Sequence, residues 1–146
     1  MTLGNMRGLM KRLMLFVAIV AMSAAQAEPT FQLDASGNRV VSLSNLYDDP
    51  GCSSGRIRGK VVKRQFDDGA IQVIGFVIEN ANGSRDFVNV GVDTENLNMN
   101  AKGWVLRGLQ TLLAEGHVVD AVIKACGAAG RVLNLDAVRE VPPWER

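Results

Sequence analysis

From residue 56 onward the apolar positions keep a regular rhythm. Arg56 to Phe66 (RIRGKVVKRQF) mixes strand formers with basic residues, and Asp67-Asp68-Gly69 is a hairpin turn. Ala70 to Glu79 (AIQVIGFVIE) follows, with Ile71, Val73 and Val77 expected on one face and Ile74, Phe76 and Ile78 on the other. Apolar residues on both faces mark a central strand, and Gly75 in its middle points to a bulge or sharp bend. Asn80-Ala81-Asn82-Gly83 carries the Asn-Gly signal of a tight hairpin. The same stretch, Asn82-Gly83-Ser84, fits a glycosylation sequon, but its turn role accounts for it fully. Ser84 to Val92 reads as the third strand, with Val88, Val90 and Val92 on a shared face.

The period then changes. After the polar stretch Asp93 to Asn100, Ala101 to Glu115 (AKGWVLRGLQTLLAE) fits a helix. Val105, Leu109 and Leu112 form one stripe with Leu106 and Leu113 beside it. Asn98 or Asn100 is positioned to cap its start, and Gly116 stops it. Two more strands, His117 to Ala125 and Arg131 to Val138, flank the turn Cys126-Gly127-Ala128-Ala129-Gly130. The tail Val141-Pro142-Pro143-Trp144 cannot continue a central strand.

Residues 28 to 55 are less patterned. Asp34-Ala35-Ser36-Gly37-Asn38 and Asp48-Asp49-Pro50-Gly51 are turn clusters, and Arg39 to Leu43 between them suits one short strand. The expectation is an N-terminal arm pinned at Cys52. Ahead of it, Arg7, Lys11 and Arg12 precede the uncharged run Leu13 to Met22 and the small-residue stretch Ser23-Ala24-Ala25-Gln26-Ala27. That is the layout of a secretory signal peptide cleaved after Ala27. The apolar run is about half of the roughly 20 residues that cross a bilayer, so no stable membrane insertion is expected after cleavage. The chain thus divides into a signal peptide (1–27), an arm (28–55), one barrel-like domain (56–140) and a tail (141–146), and works in the periplasm or outside the cell.

Removal of the leader changes the charge. Three of the 16 Lys+Arg leave with it and none of the 15 Asp+Glu, so the mature chain is slightly acidic. A near-neutral domain gives no broad electrostatic case for nucleic acid or anionic lipid, although local patches stay open. The two cysteines, Cys52 and Cys126, favour a disulfide in an exported protein. A redox or metal pair is the poorer reading, with no C-x-x-C and a single histidine, His117.

Three meandering strands, a helix and two more strands (β-β-β-α-β-β) is the element order of the oligonucleotide/oligosaccharide-binding (OB) fold. Residues 56 to 138 resemble it in that order alone, which implies a mainly β, five-stranded barrel with the helix plugging one end. An SH3-like barrel or an open α+β sheet are the alternatives. Within that architecture, Asp67-Asp68-Gly69-Ala70 and Val92-Asp93-Thr94-Glu95 are similar in position to two motifs of staphylococcal-nuclease-like domains. Those motifs are Asp-Gly-Asp-Thr after the first strand and Val/Ile-Asp-x-Pro-Glu after the third. The resemblance implies Asp68 and Asp93 as ligands of a calcium ion. Ala70 stands where the family has its second Asp, the proline is missing, and Val88 occupies the place of the family's arginine. Without that cation a phosphoryl transition state lacks a main stabiliser.

The densest charge in the mature chain is Arg56, Arg58, Lys60, Lys63 and Arg64. As a stripe it suits an anionic polymer, with Phe66 or Phe76 as a stacking surface. As a solvated strand face it discourages edge-to-edge aggregation. Period-2 counting puts Arg56, Arg58 and Lys60 on one face and Lys63 on the other. His117 has no marked partner for a triad. Gly127-Ala128-Ala129-Gly130 precedes a strand rather than a helix, so it reads as a turn and not a phosphate cradle. Trp104, at the helix start, reads as barrel-end packing. The expected function is therefore binding of a protein partner, an envelope polymer or a small ligand. The face expected to do it lies near Arg58, Lys60, Gln72 and Ile74. The alternative is a divergent calcium-dependent phosphodiesterase, and no cofactor is expected outside that alternative.

Overall fold

The structure, a computed structural model, describes residues 27–146. The expected leader lies, Ala27 apart, outside the described residues. The strands are β1 (Thr30–Leu33), β2 (Val40–Ser44), β3 (Ser53–Phe66), β4 (Val73–Glu79), β5 (Arg85–Asn89), β6 (Val118–Cys126) and β7 (Val132–Glu140). One helix, α1 (Met99–Leu112), falls between β5 and β6. The chain is mainly β, as expected.

The barrel is organised by β3, the longest strand. Its first part, Ser53 to Lys60, pairs antiparallel with β6, and its second part, Lys60 to Phe66, pairs antiparallel with β4. Glycine at position 59 permits this change of partner, because a Cβ there would run into the Glu79 carbonyl of β4. β4 pairs with β5, β6 pairs with β7, and β5 meets β7 in parallel at Asn89 and Asn134. The ring β3-β4-β5-β7-β6 therefore closes on itself, which is consistent with an OB-like barrel and removes most of the exposed edge.

Inside it lie Val61, Val73, Phe76, Ile78, Val88, Val119, Ala121, Leu135 and Val138, all fully buried. The buried stripe of α1, Val105, Leu109 and Leu112, joins the same core together with Leu113. Asn98 caps the helix: its side chain accepts from the Ala101 amide at 2.8 Å. The other end is tied to the β3–β4 turn, where Arg64 donates to the Gln110 carbonyl (2.9 Å) and Gln110 donates to the Ile71 carbonyl (2.6 Å).

Two features depart from the sequence reading. Residues 28–55 hold two strands rather than one, together with the start of β3 at Ser53. β1 and β2 form a hairpin that extends the sheet from β7, with Leu43 opposite Val138. Val40, Leu43 and Leu46 belong to the main core, and Phe31 stacks on Trp104 with ring centroids 5.9 Å apart. A four-residue strand offers too few alternations to be read, and its turn cluster is the hairpin turn itself. Second, register shifts between Val61 and Lys63 and between Gln65 and Phe66 mark bulges that re-phase the alternation. Val73, Phe76 and Ile78 consequently all point inward, while Ile74 is partly exposed and Ile71 lies before the strand, largely exposed.

Cys52 and Cys126 are disulfide-bonded, with Cα atoms 4.6 Å apart. Ser53 pairs with Ala125, so the bridge staples the open end of the β3–β6 ladder. No helix among the described residues is long and apolar enough to cross a membrane.

Candidate functional site

The bulge after Val61 decides which side chains face outward from the barrel. Arg56, Arg58 and Lys60 are exposed, Val61 is buried, and Lys63 and Gln65 are exposed again. Lys63 thus joins the face from which period-2 counting had excluded it, and Arg64 turns toward the helix instead.

Cross-strand register then assembles two rows across β3, β4 and β5. Lys63 lies opposite Val77, which lies opposite Phe87; Gln65 lies opposite Gly75, which lies opposite Asn89. Phe87 is 46% exposed, and its ring lies across Gly75 so closely that a Cβ on residue 75 would sit 2.5 Å from the ring's Cζ. The glycine serves as the floor on which the ring rests. Lys63, Gln65, Val77 and Phe87 line a groove of about 240 Å³. An aromatic face with one open side, an ammonium group and an amide around it can stack a ring and hold an anionic or hydroxyl substituent.

Of the four expected ligand residues, the structure separates two from two. Arg58 and Lys60 lie in the first part of β3, whereas Gln72 and Ile74 lie beside its far end, roughly 17 Å along the strand. Arg58 is engaged in an ion-pair row, being opposite Asp120 on β6, which is opposite Arg139 on β7. Asp120 accepts from Arg139 at 3.1 Å, with Arg56 and Arg58 each at 3.5 Å, and Glu145 reaches Arg58 (3.5 Å) and Arg139 (3.0 Å). Hydrogen bonding to Glu145, with Asp120 beside it, raises the Arg139 pKa further above its ordinary value. Lys60 has no carboxylate partner among the described residues. The Gln72 backbone closes the β3–β4 turn with Asp67, and Ile74 borders the Phe87 row at the bulge.

Phe66 and Phe76 do not supply the stacking surface. Phe76 is fully buried, and Phe66 packs on the core with the Arg64 guanidinium 5.0 Å from its ring centroid. Phe87 is the ring left exposed on this face. The signal available for it was the Phe87/Gly75 juxtaposition, which needs the register of two strands.

Asp68 and Asp93 are both exposed at loops leaving the barrel. Asp67, not Asp68, builds the β3–β4 turn, accepting from the Ile71 and Gln72 amides at 2.9 and 3.1 Å. Asp93 accepts from the Glu95 amide at 3.0 Å and lines grooves shared with Ala27 and Pro29, none of which Asp68 lines. His117 sits at the turn after α1, its carbonyl accepting from the Val61 amide at 2.9 Å. Residues 127–130 form a tight turn with positive φ at Gly127, Ala129 and Gly130. Among the described residues, the cluster with metal-ligand geometry is Asp49 with Cys52 and Cys126, whose sulfurs are already bonded to each other. No protein-family model, curated protein or solved structure matches the chain.

Proposed function

We propose that the chain is an exported binding module that takes an acidic polymer of the cell envelope on the outward face of β3, β4 and β5. The reading is carried by one observation: the half-exposed Phe87 ring laid across Gly75, with Lys63 and Gln65 beside it. A single ring flanked by an ammonium and an amide suits one sugar-acid unit at a time. Binding to single-stranded nucleic acid uses a series of stacking aromatics along a basic track. Here the first two cations of the track, Arg56 and Arg58, are engaged by Asp120 and Glu145. The disulfide supports a periplasmic or secreted location. Binding is preferred to calcium-dependent phosphodiester cleavage because Asp93 lines grooves with Ala27 and Pro29 that Asp68 does not reach.

The test is a titration of the isotope-labelled chain with oligogalacturonate, with a neutral malto-oligosaccharide as control. Backbone shifts are expected at Lys63, Gln65, Val77 and Phe87 with the acidic probe only. Phe87→Ala is expected to weaken binding about ten-fold, in the range of one lost stacking contact. Shifts confined to the grooves beside Asp93, or equal response to the neutral sugar, would overturn the reading.

A further inference from the structure

At the opposite end of β3 the C-terminal segment folds back over the barrel. Lys60, Val118, Val141 and Arg146 line a groove of about 400 Å³ there, with Arg58 at its margin. Its carboxylates are already matched. Glu79 is held by Arg85 at 2.6 Å, and Glu145 by Arg58 at 3.5 Å and Arg139 at 3.0 Å. Lys60 and Arg146 have no side-chain carboxylate partner among the described residues, so these two side chains remain available to an anion.

Trp144, which precedes the groove-lining Glu145 and Arg146 in the chain, is 84% exposed. Its position is fixed before any partner arrives. Pro143 to Glu145 form a single helical turn closed by the Glu145 amide on the Pro142 carbonyl, and the Glu145 carboxylate is gripped by Arg58 and Arg139. An exposed indole on a pre-ordered turn costs little conformational entropy on docking.

We propose that this end of the molecule docks on an anionic phospholipid surface, with Trp144 entering the headgroup layer and Lys60 and Arg146 facing the phosphates. Tryptophan partitions to the membrane–water boundary, and cations beside it add attraction to anionic leaflets. The charge complementarity singles out an anionic bilayer among the possible occupants. The proposal does not depend on the Phe87 site, and Phe87→Ala leaves it untouched.

Tryptophan emission tests it, because the chain has two tryptophans and Trp104 is packed between Phe31 and Arg107. The exported chain, its N-terminus established by mass spectrometry, is mixed with vesicles of phosphatidylglycerol and phosphatidylcholine, or of phosphatidylcholine alone. A blue shift and co-sedimentation are expected with the anionic vesicles only, weakening with added salt. Lys60→Gln and Arg146→Gln are each expected to lower partitioning about five-fold, and Trp144→Ser to abolish the blue shift. Any of these results overturns the proposal: no shift on anionic vesicles, sedimentation undiminished in Trp144→Ser, or a shift that follows protein concentration without vesicles. The last would mean that a second copy covers Trp144. An equal response to soluble glycerol phosphate would likewise reduce the site to an anion contact.

Discussion

Replacing both cysteines by serine is the most revealing perturbation of the fold, because it acts almost wholly on the unfolded chain. The bridge spans a sequence separation of 74. Closing a loop of that size restricts the denatured ensemble by about 4 kcal/mol in the chain-entropy treatment. The folded state loses little in exchange, since eight registered pairs, Ser53–Ala125 through Lys60–Val118, hold β3 to β6 independently. Serine also preserves a local contact. Asn134 is buried and donates to the Cys126 sulfur at 3.3 Å, and a serine hydroxyl can accept in its place.

Alanine at 126 cannot accept, so Cys52→Ala/Cys126→Ala should be less stable than the serine pair by a further ~1–2 kcal/mol, the cost of leaving that amide short of a partner. Urea unfolding of the oxidised chain and both variants measures each step. The serine pair is expected to lose about 4 kcal/mol with an unchanged tryptophan emission spectrum. A loss below about 1 kcal/mol would show that the unfolded chain is not restricted as the treatment requires. A changed spectrum would show instead that the bridge holds the native packing together.

Further expectations concern single positions. Asp120→Asn removes the negative charge shared by Arg56, Arg58 and Arg139. The guanidinium groups are substantially exposed, so the loss should be only about 1–2 kcal/mol, well below that of a fully buried pair; an unchanged urea midpoint would remove Asp120 from the stabilising set. Gly59→Ala places a methyl against the Glu79 backbone, which cannot retreat without disturbing β4. It should cost about 3 kcal/mol or more, and a variant with wild-type melting temperature would contradict the close approach. Asp34 accepts from Ser36 Oγ (2.8 Å) and the amides of Asn38 (3.0 Å) and Arg39 (3.4 Å), which together lower its pKa below the ordinary 3.8. A depressed pKa means stabilisation that is complete above the ordinary value and lost as pH falls through the lower folded one. Protection of the Asn38 and Arg39 amides should drop across that acid window in the wild type and show no such step in Asp34→Asn.

What could be read from the chain and what could not divides along a physical line. Local signals held: Asn98 caps α1, Asn-Gly turns β4 into β5, and the apolar stripe of Val105, Leu109 and Leu112 is the buried one. Each depends on neighbours within a few residues. β1 escaped because its apolar pair, Phe31 and Leu33, is stabilised by Trp104 and the core, which lie far along the chain. The face assignments of Val73 and Lys63 failed for a different reason. Period-2 alternation holds only between bulges, and the two in β3's pairing with β4 each add a residue.

The candidate site inherits that consequence. Counted along the sequence, the five cations between Arg56 and Arg64 form one basic run. Placed on the barrel they serve three different ends: Arg64 satisfies a helix carbonyl, Arg56 and Arg58 neutralise Asp120 with Arg58 also reaching Glu145, and Lys60 and Lys63 retain their charge for solvent or ligand. The sorting is done by residues outside the run, and Asp120 and Phe87 become visible as its partners only once β6 and β5 are in register. Affinity for an anion should therefore respond to Lys63 at the Phe87 groove and to Lys60 at the Trp144 end. Substituting Arg58 should lower stability together with any binding, because its charge is already committed to holding β3, β6 and the C-terminal turn in place.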